Sequence, residues 1–257
     1  MTGAAPFSAW RARLDAACAG TTLVRRAFAL EETPSTQDAP ETRDAVPGTV
    51  VTAWKQTAGR GRFGRAWADT ATAGIAATFV VDVQPAERLA LAGAIAAADA
   101  AESALGARVG IKWPNDVVVG GRKLAGVLIE TRGPRAFIGI GINVAHERFE
   151  GELESRATSL AMLGARADRI DVLCALVSAI DRALASSDAA LVEQFLARDA
   201  LRGTRALFAT PEGPVEGEVR SVDPMRGLVV RTDSGERFLP AGSTSVAEWG
   251  GRRVRAL

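Results

Sequence analysis

Histidine occurs once in these 257 residues, cysteine twice and tyrosine not at all. The lone histidine, His146, excludes any multi-histidine metal centre, and no Cys/His grouping has metal-ligand spacing. A Ser-His-Asp triad would have to be built on that one residue, and no nucleophile-elbow pattern supports it. Cys18 and Cys174 lie far apart in the chain, which argues against a disulfide framework and for a reducing compartment. For the missing tyrosine the sequence offers no reason. Excess charge is lacking too: 31 basic against 30 acidic residues leave no global field that favours nucleic acid or a membrane surface. The longest uncharged apolar run, between Arg88 and Asp99, is far too short to span a bilayer. The N-terminus MTGAAPFSAWRARLDAAC has neither the basic start nor the continuous apolar stretch of a signal peptide. A soluble, cytoplasmic protein is expected.

What is present is ample apolar material, 47% of the chain, patterned as α+β. Residues 7–19 have helical spacing, with Phe7, Trp10, Leu14 and Ala17 on one side. Strands are expected over 22–31 and over GTVVTAWKQ, where alternation puts Val50, Thr52, Trp54 and Gln56 on one face. GIAATFVVDV reads as a strand, and the long segment from Pro85 to Leu105 as a helix with proline suitably near its first turn. RVGIKW, DVVV, RKLAGVLIE and RAFIGIGINV form a run of strands, the middle two joined by the hairpin signal Gly120-Gly121. Two helices are expected within 168–200. From about Gly203, short strands separated by PEGP, DPMRG and DSGE have the rhythm of a small barrel. The expected architecture is a mixed, largely antiparallel sheet with flanking helices over residues 1–202, followed by an all-β unit over 203–257.

QTAGRGRFGR contains G-x-G-x-x-G at Gly59, Gly61 and Gly64, the spacing of a dinucleotide-binding turn. That reading fails because only RAWADTATA separates the motif from the next strand, too little for a crossover helix. What remains is a loop of small residues carrying three guanidiniums, Arg60, Arg62 and Arg65, each able to fork onto carboxylate or phosphate oxygens. Alone, the loop reads equally as an exposed basic turn. In KWPND, Lys112 points opposite Ile111 and Trp113, Pro114 ends the strand, and Asn115 and Asp116 are presented beyond it. In IGIGIN, Ile138, Ile140 and Ile142 take one face while Gly139, Gly141 and Asn143 take the other. That bare strip suits either a flat ligand or a tightly packed helix. In TPSTQD, Ser35 and Thr36 read as a helix cap or, with Gln37, as hydrogen-bonding groups for a urea or carboxyl.

Together these patterns resemble the biotin protein ligases. The likeness runs through the Ser35-Thr36 pair, G-R-G-R-x-G-R-x-W from Gly59 to Trp67, K-W-P-N-D, R-K-L-A-G-V-L-I-E from Arg122 to Glu130, G-I-G-I-N-V, and A-T-S-L from Ala157 to Leu160. It implies a class II synthetase-like biotinyl ligase domain with a small C-terminal SH3-like barrel. It also implies activation of biotin by MgATP to biotinyl-5′-AMP and transfer to one lysine of a biotin carboxyl carrier domain. By the same resemblance Ser35, Thr36, Gln37 and Gln56 hold the biotin ring system above Gly139 and Gly141, and Arg60, Gly61 and Arg62 close over biotin and adenylate. Arg62 retains the intermediate, Arg65 meets the triphosphate, Trp67 lies near the adenine, and Lys112 polarises the biotin carboxylate and the α-phosphate. Asn115 and Asn143 lie near the phosphates and Mg2+, and Asp116 is a candidate base for the acceptor lysine. Such chemistry needs placed cations rather than an enzyme nucleophile.

Two departures stand out. Gln37 occupies a position where the family usually has asparagine, and Pro40 is expected to shorten the helix that follows. Some relatives carry an N-terminal helix-turn-helix, and the stretch before Ser35 is too short for one, so no specific DNA binding is expected. The oligomeric state stays open between a monomer and a homodimer through an edge strand. The alternatives are a lipoate or octanoate ligase or transferase of the same fold, and a non-catalytic biotin sensor.

Overall fold

The structure is a computed structural model that describes residues 5–64, 66–67, 72–250 and 252–253. After a short 3-10 turn, α1 (Trp10–Ala19) leads to β1 (Arg26–Thr33), the brief α2 (Pro40–Arg43) and β2 (Thr49–Gln56). The short β3 (Gly59–Arg60) and β4 (Ala66–Trp67) pair with each other, and β5 (Gly74–Asp82) and α3 (Ala86–Leu105) follow. Next come β6 (Gly110–Lys112), β7 (Asp116–Val119), β8 (Arg122–Arg132) and β9 (Arg135–Asn143), then α4 (Arg169–Ala185) and α5 (Asp188–Leu196). The chain closes with β10 (Arg205–Thr210), β11 (Gly213–Asp223), β12 (Gly227–Thr232), β13 (Gly235–Pro240), β14 (Ser245–Trp249) and β15 (Arg252–Arg253).

The main sheet has seven strands in the order β1-β2-β5-β9-β8-β7-β6. Only β1 and β2 run parallel; every other neighbouring pair is antiparallel. The Gly120-Gly121 turn has positive φ at both glycines, 55° and 73°, as a two-residue hairpin between β7 and β8 requires. Pro40 is the first residue of α2, which is only four residues long. No helix among the described residues is long and apolar enough to cross a membrane.

Helices cover one face of this sheet. Helix α3 is rich in alanine because it lies close against β8 and β9: a Cβ on Gly93 would stand 2.8 Å from Val127 Cγ1 and 3.2 Å from Ile138 Cγ2. Ile138, Ile140 and Ile142 are buried in that core, so the helix sits on the isoleucine face of β9 and leaves the glycine face free. The N-cap Asp168 of α4 accepts from Ile170 N at 3.2 Å and from Ala5 N at 2.6 Å.

Strands β10 to β15 form a second, antiparallel sheet in the order β13-β12-β11-β10-β14-β15. Its end strands do not pair among the described residues, so the expected closed barrel is an open sheet. Its apolar side, including Phe208, Val219, Val230 and Leu239, is continuous with the main core. Trp113 Nε1 donates to Pro224 O at 3.3 Å, tying this sheet to the end of β6.

Candidate active site

The glycine face of the main sheet floors a cavity of about 690 Å³. Register explains the floor. Asp116 pairs with Gly126, Gly126 with Gly141, and Gly141 with Ala76, so one row across β7, β8, β9 and β5 is almost free of side chains. Trp67 lies on this row, and Gln37 lies on another, in which Leu128 pairs with Gly139 and Gly139 with Thr78. A Cβ on Gly141 would be 2.4 Å from Cε2 of Trp67, and one on Gly139 would be 2.9 Å from Nε2 of Gln37. The strip is thus covered by Trp67 and Gln37, not by a helix.

At one end of the cavity, buried polar groups form a connected set. Gln56 Oε1 accepts from Thr36 N at 2.9 Å and Thr36 Oγ1 at 3.2 Å, while Thr78 Oγ1 donates to Thr36 Oγ1 at 3.0 Å. Ser35 Oγ accepts from Gln37 N at 3.4 Å. The Gln37 amide donates to Leu128 O and Phe137 O, each at 3.3 Å, reaching backbone carbonyls across the strip. Trp54 and Gln56, expected on one face of β2, have different neighbours: Trp54 packs on Trp10, and Gln56 lines the cavity. Pairing between β2 and β5 ends at Ala53, and among the described residues β1 is the only strand paired with β2 beyond it.

The cations gather at the middle and far end. Lys112, only 7% exposed, lies 2.9 Å from Asp116, and Lys123 lies 2.6 Å from the same carboxylate. Burial opposes ionisation of Asp116, but the charge of Lys112 and then Lys123, with a hydrogen bond from each, holds its carboxyl well below the usual carboxylate range. A carboxylate so held is a weak proton acceptor, so the general-base role expected for Asp116 does not fit its setting. Counter-ion to two ammoniums describes it better.

Arg62 Nη1 donates to Asn115 Oδ1 at 3.3 Å, and Val127 N donates to Asn115 O at 3.1 Å. The Asn115 amide itself donates to Val127 O at 2.5 Å. Asn143 Nδ2 donates to Thr158 O at 2.9 Å, so the A-T-S-L segment braces that end of the site. Arg60 at the rim bridges Asp38 at 2.9 Å and Glu130 at 3.1 Å. Ser35, Thr36, Gln37, Gln56, Arg60, Gly61, Arg62, Trp67, Lys112, Asn115, Asp116, Gly139, Gly141 and Asn143 all line the one cavity. Arg65 lies outside the described residues.

Sequence reasoning missed Lys123 and Thr78. Strict alternation from Gly126 turns Lys123 toward the core. A bulge in β8, where Val117 faces Ala125 but Val118 faces Lys123, leaves Leu124 as the extra residue and returns Lys123 to the cavity face. There its ammonium also lies over the Trp67 ring, 5.4 Å from the centroid.

The site is thus a glycine strip on the helix-free face of a mixed sheet, set between amide groups and paired cations, and comparison with known proteins gives its class as a ligase. The chain belongs to the biotin/lipoate A/B protein ligase family, whose profile matches residues 30–145. It is 35% identical over 214 residues to a biotin–[acetyl-CoA-carboxylase] ligase of Mycobacterium tuberculosis, covering 78% of this chain and 76% of that protein. To the enzyme of the same name from Paracoccus denitrificans it is 34% identical over 218 residues, 76% of this chain and 90% of the other. Its fold is similar to that of a biotin protein ligase from Aquifex aeolicus in complex with biotin and ATP. There the TM-score is 0.79 at 27% identity, covering 87% of this chain and 99% of that one.

Proposed function

We propose that this chain activates biotin with MgATP to biotinyl-5′-AMP, releasing pyrophosphate, and transfers biotin to one lysine of a biotin carboxyl carrier domain. The observation that carries the reading is the convergence of the sequence motifs on one cavity with an amide-and-hydroxyl end and a cationic end. Ser35, Thr36, Gln37 and Gln56 offer donors and acceptors suited to a urea ring, and the Gly139–Gly141 strip gives that ring a flat floor. Lys112, Lys123 and Arg62 offer positive charge where a carboxylate must approach a polyphosphate. Neutralising that repulsion and fixing the in-line approach is the work required of the protein, since biotin's own carboxylate is the nucleophile.

In this reading Lys112 bridges the biotin carboxylate and the α-phosphate, Asp116 holds Lys112 and Lys123 in place, and Arg62, set by Asn115, covers the mixed anhydride. Gly61 gives the loop its close approach, Arg60 latches its base to Asp38 and Glu130, and Arg65 meets the triphosphate. Trp67 stacks near the adenine. Mg2+ brought with the triphosphate would neutralise phosphate charge, and Asn143 would be the residue near it. Residues 1–202 form the catalytic unit, and 203–257 an SH3-like unit that contributes Ser245, Val246 and Trp249 to the cavity wall.

The test is mass spectrometry of the purified protein with MgATP and, separately, biotin, lipoate and octanoate, with and without a carrier domain. The expected result is biotinyl-5′-AMP alone and an acceptor gaining one biotin. A lipoyl or octanoyl product would overturn the substrate assignment, and biotin binding without adenylate would leave a sensor.

A further inference from the structure

We propose that Arg169, which does not line the cavity, is a positioning residue that ties off the base of the glycine loop and so sets the reach of Arg60, Gly61 and Arg62; the inference rests on the ligase reading above. Strands β2 and β5 pair as far as Ala53 and Ala76 and no further. Just past that last rung the Arg169 guanidinium bridges the two chains, Nη2 donating to Trp54 O at 2.7 Å and Nε to Gly74 O at 2.7 Å. The chain between those carbonyls carries β3, β4 and the whole glycine motif. A planar fork serves the two carbonyls from two nitrogens at a fixed spacing, whereas a lysine ammonium offers rotatable donors on a single nitrogen and does not hold that spacing.

Both anchor points adjoin the site. Trp54 is two residues before Gln56, whose Oε1 receives Thr36. Gly74 pairs directly with Asn143, and the preceding Ala73 O accepts from Val144 N at 3.3 Å and Ala145 N at 2.7 Å. Slack at the base of the loop therefore passes to Gln56 and Asn143 as well as to Arg62.

Local structure alone does not call for an arginine here. It stands in the first turn of α4, where the helix dipole disfavours a cation, and it is only 6% exposed. The charge is accommodated by an aromatic enclosure: its guanidinium lies 4.8 Å from the Trp10 ring and 4.7 Å from that of Trp54. Phe7 braces both rings, at 6.2 and 6.0 Å. Apolar residues of similar volume often replace a buried ion at no loss of stability, so retaining one points to a task that needs its two donors.

The experiment compares the wild type with Arg169→Lys. It measures thermal melting, KM for ATP against kcat, release of biotinyl-5′-AMP without acceptor, and tryptic cleavage after Arg60 and Arg62 in the ligand-free chain. Loss of one charge-assisted bond predicts about tenfold faster adenylate release, a raised KM for ATP and faster cleavage at those two sites, with the melting temperature little changed. Slow release should return when guanidinium ion is added to Arg169→Ala. Equal release and cleavage in wild type and Arg169→Lys would overturn the inference. Should the lysine variant not fold, Arg169→Gln, which keeps an amide donor but is too short to span both carbonyls, is read instead, and wild-type release and cleavage there would be equally fatal. A wild type that makes no adenylate would sink the ligase reading, and the cleavage comparison would still decide the role of Arg169.

Discussion

Replacing Lys112 by methionine removes the charge and keeps most of the volume, which separates the chemistry of the site from its packing. Asp116 loses a partner at 2.9 Å but keeps Lys123 at 2.6 Å, so the carboxylate is not stranded. The stability cost should therefore be that of one charge-assisted hydrogen bond, about 1.5–3 kcal/mol, well below the 3–5 kcal/mol for a buried charge left alone. The reaction should suffer more. Lys112 is the most buried of the cations lining the cavity and is proposed to bridge carboxylate and α-phosphate, and removing one such group from a preorganised site costs about 10²–10³ in rate. Pyrophosphate release at saturating biotin and MgATP, measured beside a biotin titration and a thermal melt, tests this. The expected pattern is a loss of about 10²–10³-fold in release with biotin affinity reduced far less. Release within about threefold of wild type, in a variant that still melts cooperatively, would refute the role given to Lys112.

The glycine floor gives a paired prediction. Gly141→Ala places a methyl 2.4 Å from the Trp67 ring, which must leave its place, so ATP use should fall sharply by kinetic assay while biotin binding persists; Gly126→Ala meets the end of the Lys123 side chain at 2.7 Å and the Trp67 ring at 3.3 Å, a smaller overlap with the ring, and should be milder. Asp181 accepts from the backbone N–H groups of Thr22, Leu23 and Val24 at 3.0, 2.6 and 2.9 Å. Burial opposes its charge, but those bonds hold its carboxyl below the usual range. A depressed folded pKa contributes stability present above the unfolded value and lost as pH falls. Asp181→Asn should therefore cost about 2–3 kcal/mol in urea unfolding at pH 7, a difference that shrinks below about pH 4. Burial pushes the Cys18 thiol up to about 11, so alkylation in the native state at neutral pH should be far slower than in urea.

Much of the fold could be read from periodicity. The alternation of β2, β5 and β9, the alanine-rich α3, the Gly120-Gly121 hairpin and both helices after Asp168 lie where the pattern put them. The first strand does not: it begins at Arg26, and the residues before it hold the link to Asp181 instead. Strand order was beyond the sequence, since the placement of β5 between β2 and β9 depends on long-range pairing that no local window contains. The second sheet shows the same limit: its strands were visible, but whether the outer ones meet is a matter of curvature. At the site, short-range spacing placed Lys112 opposite Ile111 and Trp113, and Gly139 opposite Ile138. Bringing the Ser35 and Arg62 segments to the same cavity needed the family pattern. Lys123 escaped because a bulge cannot be seen in a strand read by strict alternation. Arg169 escaped because its partners are carbonyls at Trp54 and Gly74, far away in the chain.

The pairing of Gly126 with Gly141 and of Leu128 with Gly139 makes strand register part of the active site's specification. A slip of one residue in β8 would turn Val127 and Ile129 onto the cavity floor and Gly126 toward α3. Such a molecule would lose apolar contact with the helical layer at the same moment as its floor filled with side chains. A misregistered chain could not persist as a stable but idle decoy, because the error that blocks the ligand also loosens the core. The fold in this way proofreads its own catalytic competence: molecules stable enough to survive are those whose cavity is open.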